Sequence, residues 1–284
     1  MIEEGTITAK PFVKWVGGKT KLLPQLLPLI PKKYEDYHEP FLGGGAFYFG
    51  LSNVGKAYLN DINQHLIAAY QHIRDDIQQI LKMLKRLEKE YHSLKTLDEK
   101  KIYFLERRVE YNNLKDSNFR KTALLIFLNK TCFNGMYREN SKGDFNVPFG
   151  QHDSPTICDE KNLMAVSKKL QKAHFSSGSY DAVVRHAKKG DFIYFDPPYF
   201  PLTSTSSFTS YHASGFQKSD QERLRNVFAE LKRRGCYVML SNSATKEIRE
   251  FYKGFRQIEV MAARSINSVG TGRGKIAELV ILSY

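Results

Sequence analysis

Cysteine is scarce: Cys132, Cys158 and Cys236 are the only three in 284 residues, with no Cys-x-x-Cys spacing and no nearby His pair. That excludes a disulfide-stapled scaffold and a zinc finger, and fits buried thiols in a reducing compartment. The eight histidines are scattered and His-Glu-x-x-His is absent, so a zinc-peptidase site has no support. Long apolar runs are missing too, and Met1–Lys10 carries no apolar stretch of the signal-peptide kind. The expectation is a soluble, cytoplasmic protein. Acid is short relative to base, 30 Asp plus Glu against 43 Lys plus Arg, a net charge of +13. Such an excess favours a polyanionic partner and speeds encounter with it. The basic residues are spread along the chain, with no Lys/Arg tail to act as a disordered arm. A hydrophobic content of 42% supplies the core of one large domain, or of a domain with a sizeable insertion.

The most informative stretch is Asp191–Tyr199, Asp-Phe-Ile-Tyr-Phe-Asp-Pro-Pro-Tyr. Phe192–Phe195 reads as a buried strand of a parallel sheet. It has to stop at Asp196, because proline cannot continue a ladder and restricts the residue before it. A carboxylate and an aromatic ring are thus held on a stiff turn at the carboxyl end of a strand, where open α/β sheets bind ligands. Earlier in the chain, Gly18-Lys19-Thr20 resembles the end of a P-loop, but the leading glycine of that pattern would fall at Val13. What remains is a Gly-Gly turn flanked by Lys14, Lys19 and Trp15, the one tryptophan in the chain. Pro24 and Pro28 imply that the following Leu-rich segment is a short or kinked helix. Tyr37–Phe47 runs from a strand into Gly43-Gly44-Gly45 and then a helix-compatible segment. It is not the dinucleotide fingerprint, since Tyr48 stands where the third glycine belongs. Lys56–Asp61 reads as the next strand, and an acid at its end is suited to gripping ribose hydroxyls.

From Leu66 to Lys130 the pattern is helical, with Ile73, Ile77, Ile80, Leu81 and Leu84 at three- and four-residue steps and a weaker stripe at Tyr103, Leu105 and Val109. Lys82–Lys101 reads as mostly a solvated face, and Phe119–Asn129 as a further helix. Between Phe133 and Gly150, Asn134-Gly135 and Gly143-Asp144 separate short aromatic runs, the pattern of a small hairpin bearing Arg138. On these residues alone a surface hairpin with a solvated Arg is the preferred reading; the sharper one puts Arg138 in a DNA groove, bidentate on guanine. After residue 155 helix and strand alternate again: helix 160–170, a strand near His174-Phe175, helix 180–187, helix 219–234 and strands at 236–240, 257–261 and 277–282. Pro201–Gly215 reads as a lid or substrate clamp over the ligand edge. Arg264–Lys275, basic with no acid, suits phosphate contact or a hairpin tip equally.

With these motifs in order, the sequence resembles the Dam/DpnM-like DNA adenine-N6 methyltransferases over nearly its whole length. The match is carried by Lys-Trp-Val-Gly-Gly-Lys at 14–19, Glu-Pro-Phe-Leu-Gly-Gly-Gly at 39–45 and Asn-Asp-Ile-Asn at 60–63, then by Asn-Gly-Met-Tyr-Arg at 134–138, Phe-Asn-Val-Pro-Phe-Gly at 145–150 and Asp-Pro-Pro-Tyr at 196–199. The loop at 201–211 is similar as well. The sequence departs from the family pattern at Gln151-His152.

The resemblance implies an α/β fold, a Rossmann-like seven-stranded S-adenosylmethionine-dependent methyltransferase sheet. Residues 1–69 and 156–284 would form it, with a mostly helical target-recognition domain inserted at 70–155. It implies S-adenosyl-L-methionine as donor, S-adenosyl-L-homocysteine as product, and no metal. Trp15, Lys19, Asp61 and Asp196 become the expected cofactor contacts, with Phe41, Gly43, Gly44 and Gly45 walling the pocket. Asp196, Pro197, Pro198 and Tyr199 become the catalytic turn. There the Asp196 carboxylate and Pro197 carbonyl would accept the two N–H bonds of the adenine amine, and Tyr199 would stack on the flipped base. GATC in duplex DNA is the implied target. Arg138 would read a guanine, Pro148 would meet a thymine methyl, and Lys14, Phe133, Asn134 and Met136 would lie at the duplex. The implied setting is prokaryotic or phage-type, acting at the nucleoid, with a cognate restriction endonuclease as a functional partner. Two other readings stand beside it: an amine or amide methyltransferase acting on RNA or protein, and a non-catalytic DNA-binding module.

Overall fold

Seven strands build one mixed sheet in the order β3-β2-β1-β4-β5-β7-β6. They are β1 Tyr37–Glu39, β2 Ala57–Asp61, β3 Ala173–Ser177, β4 Phe192–Phe195, β5 Tyr237–Ser243, β6 Arg256–Ala263 and β7 Lys275–Leu282. The computed structural model describes residues 8–199, 216–263 and 275–284. β3 to β5 pair in parallel, and β7 runs antiparallel between β5 and β6. The expected α/β methyltransferase sheet is therefore present. All four residues of β4 are buried, as a central strand with an unbroken apolar run requires. The strand order turns back on itself between β1 and β4. In an open α/β sheet such a reversal opens a crevice at the carboxyl ends of the strands.

The chain forms two compact units: Met1–Gly18, Gly43–Phe49 and Asn63–Lys172 in one, Lys19–Leu42, Gly50–Ile62 and Ala173–Tyr284 in the other. The second holds the whole sheet. One of its cores joins Ile193 and Phe195 of β4, Val238 and Leu240 of β5 and Leu279 and Ile281 of β7. Leu224, Phe228 and Leu231 from the amphipathic helix Lys218–Arg233 cover them.

The first unit is helical, with helices Gln64–Asp75, Ile77–Ser93, Leu97–Asn113, Phe119–Thr131 and Glu160–Leu170. Phe119–Thr131 is its central member: Ala123 to Leu128 are all buried, so it is apolar all round rather than striped. All five of these helices start on side-chain caps: Asn63, Asp76, Thr96, Asn118 and Asp159 each accept from the backbone N–H three residues on. No helix among the described residues is long and apolar enough to cross a membrane.

Several local expectations change. The apolar pattern through Ile73 and Ile77 belongs to two helices, because Asp76 ends one and caps the next. Along Leu97–Asn113 the buried face is Lys100, Phe104 and Tyr111, and Val109 points to solvent. Lys100 itself leaves the solvated face: its ammonium is buried and bonds the Asp153 carbonyl and carboxylate. The helix read at 180–187 is a 3-10 turn, Tyr180–Ala182, followed by Val183–His186. The aromatic runs at 133–150 form no strand ladder. They are tied by two isolated bridges, Cys132 with Phe149 and Glu139 with Phe145. The lid expected at 201–215 and the basic stretch 264–274 lie outside the described residues.

Candidate active site

In the sheet unit, the Asp-Pro-Pro-Tyr turn leaves β4 among charged side chains from two other segments. Asp196 Oδ1 lies 2.8 Å from Lys19 Nζ. Lys19 is only 4% exposed, so this pair is shielded from water in a way surface pairs are not. The same ammonium is 4.0 Å from Glu278 Oε2 and 4.9 Å from the Tyr199 ring centroid. The Tyr199 hydroxyl donates to Glu278 Oε2 at 2.5 Å. Glu278 reaches this edge because β7 is antiparallel: its early residues lie beside the carboxyl end of β5, with Glu278 opposite Ser243. Within the turn Pro197 is buried and Pro198 exposed.

Burial pushes the Asp196 carboxyl up to about 6; Lys19 opposes the rise and the charge of Glu278 adds to it. At neutral pH Asp196 is therefore mostly a carboxylate, an acceptor for N–H donors. Burial first, then Asp196 and Glu278, hold the Tyr199 phenol well above its usual range, so it stays a donor.

The neighbouring strand ends are equally ordered. Asn60 Nδ2 donates to the Pro40 and Gly178 carbonyls at 3.1 and 3.0 Å, and its Oδ1 accepts from Ser176 Oγ at 2.9 Å. These bonds fix the turns that follow β1 and β3. Phe41, directly after β1, stacks on Tyr180 at 5.0 Å. Asp61 closes β2, half-buried, its carbonyl accepting the Gly178 N–H.

In the helical unit, Trp15 stacks on Tyr137 with centroids 4.9 Å apart and planes 23° apart. Gly43 and Gly45 both have positive φ, +49° and +68°. A Cβ on Gly43 would stand 2.9 Å from Trp15 Cδ1, and one on Gly45 would stand 2.8 Å from the Tyr70 hydroxyl. Glycine is needed here for both reasons, and the space it leaves is filled by the indole and the phenol. The Tyr70 hydroxyl donates to the Gly43 carbonyl at 3.0 Å, closing the turn.

The residues expected at DNA lie in this unit. Asn129, buried in the central helix, accepts the Lys14 N–H at 2.8 Å and donates to the carbonyls of Lys14 and Gly135, both at 2.9 Å. One amide thus joins the Lys14–Trp15 segment to the loop carrying Phe133, Asn134 and Met136. Phe133 and Asn134 are exposed, Asn134 in the left-handed region, and Met136 is half-buried. The Phe133 N–H bonds the Pro148 carbonyl at 2.9 Å, bringing the exposed Pro148 to the same loop. Arg138 is exposed, with Nε donating to Asn146 Oδ1 at 2.7 Å.

The structure therefore groups Lys19, Asp196 and Tyr199 in one unit, with Phe41 and Asp61 at adjoining strand ends. In the other it groups Trp15 with Gly43 and Gly45, and Lys14 with the 133–148 loop. Glu278 and Asn129 are among the members of these clusters that were not singled out from sequence. Each is a buried or near-buried polar residue adjoining an apolar run, Glu278 within Ala277–Leu282 and Asn129 directly after Ala123–Leu128, and that is the signal that marks them.

A family model described as D12 class N6 adenine-specific DNA methyltransferase matches residues 15–266. The chain is 38% identical to the type II methyltransferase M1.LlaDCHI of Lactococcus lactis subsp. cremoris, over 100% of this chain and 99% of the relative. It is 41% identical to the type II methyltransferase M.MjaIII of Methanocaldococcus jannaschii, over 97% and 99%. A DNA adenine methylase of Vibrio cholerae is 35% identical over 96% and 95%. Membership at this coverage sets aside the RNA, protein and non-catalytic alternatives. The chain belongs to the D12 class of N6 adenine-specific DNA methyltransferases.

Proposed function

We propose that this DNA adenine methyltransferase takes its methyl group from S-adenosyl-L-methionine and acts on an adenine flipped out of duplex DNA, within GATC. The observation that carries the reading is the ion-paired, half-buried Asp196 on the proline-stiffened turn at the β1/β4 reversal. An exocyclic adenine amine is a weak nucleophile, because its lone pair is delocalised into the ring. In our reading the Asp196 carboxylate and the Pro197 carbonyl accept its two N–H bonds. That draws the nitrogen towards tetrahedral geometry and aims its lone pair outward, so positioning and electrostatics supply the rate. Tyr199 stacks on the base, which is out of reach inside the duplex. Lys19 occupies one side of the tyrosine ring; the base takes the other. Pro198 stiffens the catalytic turn.

The donor, when bound, supplies an electrophilic sulfonium methyl group. The residues of the sheet unit fit such a ligand: Asp61 ends the strand beside the reversal and suits ribose hydroxyls, Phe41 offers an aromatic wall, and Asp196 and Lys19 lie at the same strand ends. In the helical unit Trp15, Gly43 and Gly45 are the proposed cofactor contacts. Lys14, Phe133, Asn134, Met136, Arg138 and Pro148 are the proposed DNA contacts, with Arg138 on guanine and Pro148 against a thymine methyl. We further propose residues 70–155 as the target-recognition domain, and a restriction endonuclease of the same specificity as the functional partner. The product is S-adenosyl-L-homocysteine.

Tritium transfer from labelled S-adenosylmethionine to duplex DNA, RNA and protein tests the chemistry. Label in duplex DNA that depends on Asp196 is expected, and label in RNA alone would overturn the reading. Sequencing DNA from expressing cells by a method that detects methyladenine tests the target. Methylation confined to a motif other than GATC would remove that assignment.

A further inference from the structure

We propose that Glu278 is a positioning residue of the methyl-transfer site: it anchors the hydroxyl of Tyr199 and shares the Lys19 ammonium with Asp196. The inference rests on the roles proposed above for Asp196 and Tyr199. An acid in the apolar strand segment Ala277–Leu282 is costly, and its side chain here is 13% exposed. It is matched by two partners from different segments, the Tyr199 hydroxyl at 2.5 Å and the Lys19 ammonium at 4.0 Å.

The geometry has two consequences. First, Tyr199 stands on a turn outside the sheet, and its ring plane needs support from a rigid element to receive a base at a fixed angle. Glu278 supplies that support from β7, a strand bonded on both edges. Second, the Glu278 and Asp196 carboxylates lie against one ammonium, so a change at Glu278 is felt at Asp196. The charged groups acting on Asp196 among the described residues are Lys19, which favours its ionised form, and Glu278, which opposes it. The hydroxyls facing the cluster belong to Tyr199 and to Tyr194, which shares a hydrogen bond with Ser241 Oγ at 2.9 Å. Both phenols are raised by burial and stay neutral.

The test compares Glu278→Gln, Glu278→Ala and Tyr199→Phe in the full-length enzyme, with Asp196→Ala as reference. It measures kcat and KM for a methylatable duplex at saturating S-adenosylmethionine between pH 5 and 8. Glutamine keeps an acceptor for the Tyr199 hydroxyl but removes the charge. The acid limb of its kcat profile should move to lower pH by roughly half a unit, and its kcat/KM should exceed that of Glu278→Ala by about tenfold. Glu278→Ala and Tyr199→Phe break the same bond, so their effects should not multiply when combined. An acid limb left in place by Glu278→Gln overturns the proposal, as do fully multiplicative losses in the double variant. If Glu278→Ala does not fold, the Glu278→Gln profile alone decides. Near-normal turnover by Asp196→Ala sinks the underlying reading as well; an inactive Asp196→Ala beside an unmoved acid limb sinks the role of Glu278 alone.

Discussion

In the role proposed for it, Asp196 is under two opposed demands. It has to be shielded from water for its charge to act strongly on a bound amine, yet shielding favours the protonated acid, which has lost half its accepting capacity. Lys19 reconciles them by holding the carboxyl near 6 rather than higher. The sign follows directly: above pH about 6 the carboxylate dominates, and below it the neutral acid does. With saturating substrates, kcat should be level above neutrality and fall about tenfold per pH unit below pH about 5, as a pH–rate profile will read. Asp196→Ala is expected to abolish transfer while leaving nonspecific DNA binding, measured by fluorescence anisotropy, largely intact. Arg138 is proposed to read a base. Its Nε bond to Asn146 presets the guanidinium on an exposed surface. Arg138→Ala should relax discrimination at one base pair by roughly 1–3 kcal/mol, scored by kcat/KM on singly substituted sites. Equal weakening on every sequence would make Arg138 a phosphate contact instead. Asn129 acts through structure: Asn129→Leu leaves the Lys14 amide and two carbonyls without their partner, and should cost about 3 kcal/mol of stability in urea denaturation.

Elements here are delimited by their ends more than by their interiors. β4 stops where Pro197 begins, and helix Ile77–Ser93 starts afresh because the Asp76 side chain accepts from Gln79. Leu97–Asn113 opens on a full capping box: Thr96 Oγ1 accepts the Glu99 N–H, and the Glu99 carboxylate accepts the Thr96 N–H. These bonds, with one from the Lys95 N–H, hold the Glu99 carboxyl below its ordinary range. This helix is weakly amphipathic, with Val109 and Ile102 exposed, so its cap matters more than usual. Thr96→Ala should lower stability by about 1 kcal/mol, read from the denaturation midpoint at unchanged slope. A loss confined to the melting of one unit would show that the cap serves that unit alone.

Across the whole molecule the net charge of +13 sets the approach to DNA. Each phosphate neutralised releases counterions, so affinity should fall steeply with salt, with a logarithmic slope of about −0.9 per contact. Lys14→Ala is expected to reduce the magnitude of that slope by about 1, without changing which sequence is methylated. An unchanged slope would remove Lys14 from the phosphate contacts.

The sequence by itself determined the strand-ending turn, the glycine turn and the acid closing the second strand, because proline, glycine and an apolar run act locally. It also determined the family, through ordered motifs spread over the chain. The helix break at Asp76 was written in the sequence too, as a cap, but a continuing apolar period hid it. Tertiary structure decided what local pattern does not encode. Lys19 and Glu278 meet the Asp196 turn from positions far apart in the chain, Glu278 because β7 runs antiparallel beside β5. Lys100 is buried because Asp153 comes to meet it. Asn129 binds Lys14 across more than a hundred residues. Asp196 to Tyr199 were legible as a site from their own residues; the charge that tunes that site comes from partners that only folding brings within reach.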